Sequence, residues 1–193
     1  MNKQELATKI WATANELRKN IKASEYKDYI LGFMFYKYLC DKEIDYLKDL
    51  GGEIDDLQDV DEDTFKDGIG YFISYKNLFH VWKKAGVSLG AKDVSEALDD
   101  FYLNLNDRYK TVFDKVFSAL QTGLTKLGEI SGSRDKAVRD IVDLIDFIPP
   151  TSRDYDVLGY IYEYLIQQFS SEAKKDGSFY TPHQVTSMMS RIL

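Results

Sequence analysis

The chain has 193 residues, 44% hydrophobic and 30% charged, which is enough for one substantial core and too balanced for a disordered or membrane-embedded protein. Its formal charge of -7 comes from one segment, where Glu53, Asp55, Asp56, Asp59, Asp61, Glu62 and Asp63 carry the whole excess; composition neither supplies the basic footprint of a nucleic-acid binder nor excludes one. The single cysteine, Cys40, excludes a disulfide framework and a thiolate metal cluster, and suits a reducing cytoplasm.

Leu6, Ile10, Ala14, Leu17 and Ile21 recur at helical spacing and leave Lys9, Glu16, Lys19 and Lys22 for solvent, which predicts a surface helix. The polar first nine residues lack the apolar centre of a signal segment. Ser24 is placed to cap the next helix, with Glu25 in its first turn. Residues 29–39 are apolar on nearly every face, so this helix belongs in the middle of a bundle. Its longest uninterrupted apolar run, 29–36, is far too short to span a bilayer. Gly51 and Gly52 stop the helix, and residues 53–63 read as a solvated, self-repelling loop. Asp59, Asp61 and Asp63 match the first, third and fifth positions of a calcium loop. Thr64 stands where that loop needs glycine and Gly70 where it needs a bidentate glutamate, so no calcium site is expected.

Residues 71–82 are rich in aromatics without a clear period and read as a short extended piece followed by a helix. Val94, Leu98, Phe101 and Leu105 restore helical spacing, as do Ala137, Ile141, Leu144 and Ile145 after a Gly/Ser break at 131–133. Pro149 and Pro150 end that helix, because neither offers an amide donor and each restricts its predecessor. A long helix follows, with Leu158, Ile161, Tyr162, Leu165 and Phe169 on one side. Thr181 caps a last helix, with Pro182 in its first position and an apolar stripe of Val185, Met188, Met189 and Ile192. No stretch alternates cleanly and no repeat of solenoid length is present. The fold class is therefore all-α, a helical bundle with minor irregular structure.

Two segments go beyond periodicity. Residues 11–41 (WATANELRKNIKASEYKDYILGFMFYKYLCD), and residues 156–166 (DVLGYIYEYLI) followed by 177–182 (GSFYTP), resemble in order and spacing the N-terminal region of the modification (DNA methyltransferase) subunit of type I restriction-modification systems. The resemblance implies a helical N-terminal domain over 1–150, then a linker helix and the truncated start of a Rossmann-like methyltransferase domain over 151–193. It implies, for the full protein, transfer of a methyl group from S-adenosyl-L-methionine to adenine N6 in double-stranded DNA, in complex with a specificity subunit and a restriction subunit. Phe179, Tyr180, Thr181 and Pro182 match the family's cofactor-side turn. A helix beginning at Pro182 would direct free N–H groups and a partial positive charge towards the cofactor's carboxylate. Neighbouring aromatic faces would attract its sulfonium, by ~0.5–2 kcal/mol.

The family's glycine-rich cofactor loop and its Asn-Pro-Pro-aromatic tetrapeptide are absent, and the prolines at 149, 150 and 182 leave no place for them. The expectation is a fragment that contains no catalytic residue, does not hold the cofactor tightly and does not methylate DNA alone. The rival expectations are a free-standing helical interaction or regulatory module and the front end of a single-chain restriction-methylation enzyme. Lys83–Lys84 and Lys174–Lys175 could reach phosphates, and Lys174 and Lys175, which adjoin the cofactor turn, are the candidate DNA-backbone contacts; the alternative reading of both pairs is solvated charge. Tyr160, Tyr162 and Tyr164 alternate in sequence but diverge on a helix, so they read as packing residues rather than a base-stacking platform. His80 and His183 are too isolated to form a metal site or a nucleophile–base pair.

Overall fold

A computed structural model describes residues 3–17, 23–124, 131–149 and 155–173. Its α-helices, among the described residues, are α1 (Lys3–Leu17), α2 (Ala23–Asp49), α3 (Glu62–Gly68), α4 (Phe79–Ala85), α5 (Ala91–Leu103), α6 (Lys110–Leu124), α7 (Ser131–Asp146) and α8 (Tyr155–Ala173). The bridge between Tyr71 and Leu105 stands outside any strand, so the all-α expectation holds. Among the described residues no helix is long and apolar enough to cross a membrane.

The bundle is organised around α2, as its apolar circumference predicts. This helix packs against α4, α6, α7 and α8. Tyr29, Ile30, Phe33, Met34, Tyr36, Leu39, Cys40 and Leu47 are all buried, each large apolar side chain contributing about 1.5–3 kcal/mol relative to exposure. The glycines end it as expected. Gly51 takes a φ of 85°, Gly52 N–H donates to Leu47 O at 3.0 Å, and Gly51 N–H donates to Lys48 O at 2.9 Å. Those two bonds satisfy carbonyls that the helix leaves open, and the left-handed residue they require is inexpensive only for glycine.

α1 buries Leu6, Ala7, Ile10 and Ala14 against α7 and α8. Trp11 meets Phe169 of α8 edge to face at 5.0 Å. α8 answers with Ile161, Leu165 and Phe169, an i, i+4 row. On the other side of α2, the rings of Phe101, Phe113 and Phe117 from α5 and α6 form a contiguous aromatic layer with Phe35 and Tyr36.

Several sequence expectations need correction. Residues 110–124 were given no element by spacing, yet they form α6, with Phe113, Phe117, Leu120 and Leu124 buried. The acidic segment is not a loop. Residues Ile54–Gln58 form a 3-10 turn in which Glu53 N–H donates to Asp56 Oδ2 at 2.7 Å, and Asp61 caps α3 by accepting from Asp63 N–H. Buried Leu57 and Phe65 anchor these turns, so their carboxylates cap helix starts while still facing water. The Gly/Ser stretch at 131–133 is the first turn of α7 rather than a break. α2 begins at Ala23, two residues before the start that a cap at Ser24 would give it. Leu105 lies beyond α5, in the bridge to Tyr71. Tyr162 is 46% exposed and so does not belong to the buried side of α8. The expected helix from Pro182 lies outside the described residues.

Candidate functional site

The residues singled out for cofactor and DNA contact, Phe179, Tyr180, Thr181, Pro182, Lys174 and Lys175, lie outside the described residues, as does His183. The other candidates are placed. Lys83 is not simply solvated: its Nζ lies 2.6 Å from Asp143 Oδ1 and 3.6 Å from Asp146 Oδ2, joining α4 to α7. Asp143 raises the lysine's pKa through that hydrogen bond. Tyr160 and Tyr162 are 37% and 46% exposed, which corrects their reading as packing residues, whereas Tyr164 does pack against the core. His80 meets the Tyr75 ring edge-on at 5.9 Å, and burial, helped by Lys84, lowers its pKa. Among the described residues no group of three or more His, Cys, Asp and Glu could hold a metal ion.

Two constructions stand out from the core. The first is a polar row on α2. The irregular stretch 71–79 crosses this helix, and four contacts tie them together. Tyr71 Oη donates to Leu39 O at 2.9 Å, and Ile73 N–H donates to Glu43 Oε2 at 2.8 Å. Tyr36 Oη donates to Asn77 O at 3.0 Å, and Phe79 N–H donates to Cys40 Sγ at 3.4 Å. Tyr36, Cys40 and Glu43 sit at i, i+4 and i+7, so a single helix face supplies partners to backbone whose own pairing is limited to one bridge and a short 3-10 turn. Asp100 of α5 secures the outer side, its Oδ2 accepting from Ser74 Oγ at 2.6 Å and Asn77 Nδ2 at 2.8 Å. Burial pushes the acidic groups of this face upward: the Cys40 thiol and Tyr36 phenol are both held well above their ordinary values, and so is the Glu43 carboxyl. Cys40 is therefore an inert core thiol rather than a nucleophile.

The second construction is an apolar cavity of about 570 Å3 between α2, α6 and α8, walled by Leu31, Phe35, Tyr38, Val116 and Tyr162, with a floor opened by Gly159. It offers surface for an apolar group and no chemistry. Its charged lining residues, Asp28 and Lys115, make no nucleophile–base pair.

A family model for the HsdM N-terminal domain matches residues 6–145. The chain belongs to the HsdM N-terminal domain family. Directly after this HsdM N-terminal domain, a second model, for N-6 DNA methylase, matches residues 153–193. Curated relatives include the type I restriction enzyme MpnII methylase subunit of Mycoplasma pneumoniae, 26% identical over 95% of this chain and 38% of its own length. Others, from Methanocaldococcus jannaschii, are the MjaIX methylase subunit, 23% identical over 98% of this chain and 35% of its own length, and the MjaVIII methylase subunit, 26% identical over 88% and 28%. The chain thus spans between 28% and 38% of the length of these relatives. The fold recurs in the type I restriction-modification system methyltransferase subunit from Streptococcus thermophilus, with a TM-score of 0.79 at 24% identity, over 99% of this chain and 44% of that one.

Sequence reasoning identified the family from residues 11–41 and 156–182 but passed over the polar row of α2. A signal was present: Glu43 falls on the helical continuation of Tyr36 and Cys40, one turn beyond an otherwise apolar run.

Proposed function

We propose that this HsdM N-terminal domain is the front part of a DNA methyltransferase subunit of a type I restriction-modification system, and that the whole protein transfers a methyl group from S-adenosyl-L-methionine to adenine N6. The observation that carries this reading is the succession of two family matches, HsdM N-terminal domain and then N-6 DNA methylase, in a chain whose curated relatives include type I restriction enzyme methylase subunits. The helical part, up to a boundary near residue 150, helps close the subunit around double-stranded DNA and contacts a specificity subunit, with a restriction subunit joining the complete assembly. The setting is the cytoplasm. Phe179, Tyr180, Thr181 and Pro182 form one side of the cofactor site, and Lys174 and Lys175 contact the DNA backbone.

These site assignments rest on the resemblance and on the physics of helix N-termini, which suit anionic groups. They are tested in the full-length subunit assembled with its specificity partner. Replacing Phe179 and Tyr180 with alanine should weaken binding of labelled S-adenosyl-L-methionine at least several-fold with the fold intact. Alanine at Lys174 and Lys175 should reduce the salt slope of DNA binding by up to about two, since each phosphate contact releases close to one counterion. Unchanged cofactor binding removes the turn from the site, and an unchanged slope removes the lysines from the interface.

A further inference from the structure

Glu43 is a carboxyl group without the surroundings a charged carboxylate needs. It is fully buried. Its Oε2 accepts one bond, from Ile73 N–H at 2.8 Å, while Oε1 is equally enclosed and has no partner. Among the described residues, the titratable and charged groups around this face include Tyr36, Lys37, Cys40 and Asp41 of α2, Tyr71 of the crossing stretch, His80 of α4 and Asp100 of α5. None of them neutralises it. Lys37 is ion-paired with Asp41 at 2.7 Å, Tyr71 donates to Leu39 O, Asp100 is engaged by Ser74 and Asn77, and the Tyr36 phenol and Cys40 thiol, kept neutral by burial, bring no positive charge to it.

A buried, unpaired carboxylate is far costlier than a buried neutral acid with one unfilled hydrogen bond. We propose that Glu43 is a neutral acid that latches residues 71–79 to α2, and that its ionisation releases this latch. In the neutral form Oε2 accepts from Ile73 and Oε1 carries the proton. On ionisation the charge is relieved only by water, which reaches Oε1 once the stretch lifts from α2. That stretch leads into α4, whose Lys83 bridges to α7, so the released state loosens one flank of the bundle while leaving α1 and α8 in place. The inference is independent of the methyltransferase reading.

A group whose folded pKa lies above its unfolded value stabilises fully below the unfolded value and loses that contribution as pH rises through the folded one. The test is denaturant unfolding of the purified chain and of Glu43→Gln, a neutral isostere that keeps the Ile73 bond. The ratio of unfolding constants, wild type over variant, should rise about tenfold per pH unit as pH climbs above the unfolded glutamate value of ~4.3, and level off once the folded group has ionised. A flat ratio overturns the proposal. The wild type alone gives a second reading that does not depend on the variant folding. With isotope-labelled glutamate, its infrared spectrum should keep a protonated-carboxyl band at a pH about one unit above the ordinary glutamate value of ~4.3, where exposed carboxylates are largely ionised. Raising the pH should remove that band together with hydrogen-exchange protection at the Ile73 and Phe79 amides. A Glu43 band lost at the same pH as those of ordinary glutamates, or loss of the band with those amides still protected, contradicts the latch.

Discussion

Tyr36 shows how much a single side chain carries here. Its ring stacks on Trp82 with centroids 4.6 Å apart, meets Phe117 edge-on, and lends its hydroxyl to Asn77 O. Tyr36→Phe keeps the stack and leaves the buried Asn77 carbonyl without its partner. The expected loss is about 1–3 kcal/mol, read as a lower midpoint in denaturant unfolding with an unchanged slope; a loss below ~0.5 kcal/mol would mean that water replaces the bond. At this scale the sequence was only partly legible. Apolar residues such as Phe33, Ile161 and Leu165 declare burial through their spacing. Glu43 and Asp100 do not, because a carboxylate on a helix reads as solvent-facing until the backbone it serves is known.

Elements were legible where one strong period governs them. The spacing of α1, the apolar run in α2, the Val94–Leu98–Phe101 row of α5 and the Ile161–Leu165–Phe169 row of α8 each report a packing face. α6 carries the same period in Phe113, Phe117 and Leu120, but β-branched Thr111, Val112, Val116 and Thr122 and the internal Gly123 blur its helical character. The acidic turns escaped for a different reason: charge predicts solvation, and carboxylates that cap helix starts are also solvated, so the pattern does not separate the two. The α4–α7 junction gives a quantitative expectation. Lys83 and its partners are substantially exposed, at 39%, 64% and 46% for Lys83, Asp143 and Asp146, so solvent screens the bridge. Lys83→Ala should cost no more than about 1 kcal/mol, with the loss shrinking in high salt. A larger, salt-independent loss in thermal unfolding would show that the aliphatic stem, not the charge, holds α4 in place.

Across the whole molecule, sequence and structure divide the account between them. The match to N-6 DNA methylase begins at residue 153, just ahead of α8, yet α8 packs on α1 and α2 and closes the bundle through Phe169 against Trp11. The helix that begins the second family match is thereby part of the bundle's core, a link that spacing alone could not reveal because it depends on contacts such as that of Trp11 with Phe169, more than 150 residues apart in sequence. The family was legible through the segments 11–41, 156–166 and 177–182, not through charge, since the acidic balance points to no particular partner. The central claim is that this bundle serves a DNA methyltransferase, and the most direct measurement is labelled methyl transfer from S-adenosyl-L-methionine to DNA. The full-length subunit carrying this sequence, assembled with its specificity subunit, should label adenine N6, and the 193-residue chain alone should label nothing. Transfer by the chain alone, or none by the complete and folded assembly, would contradict the account.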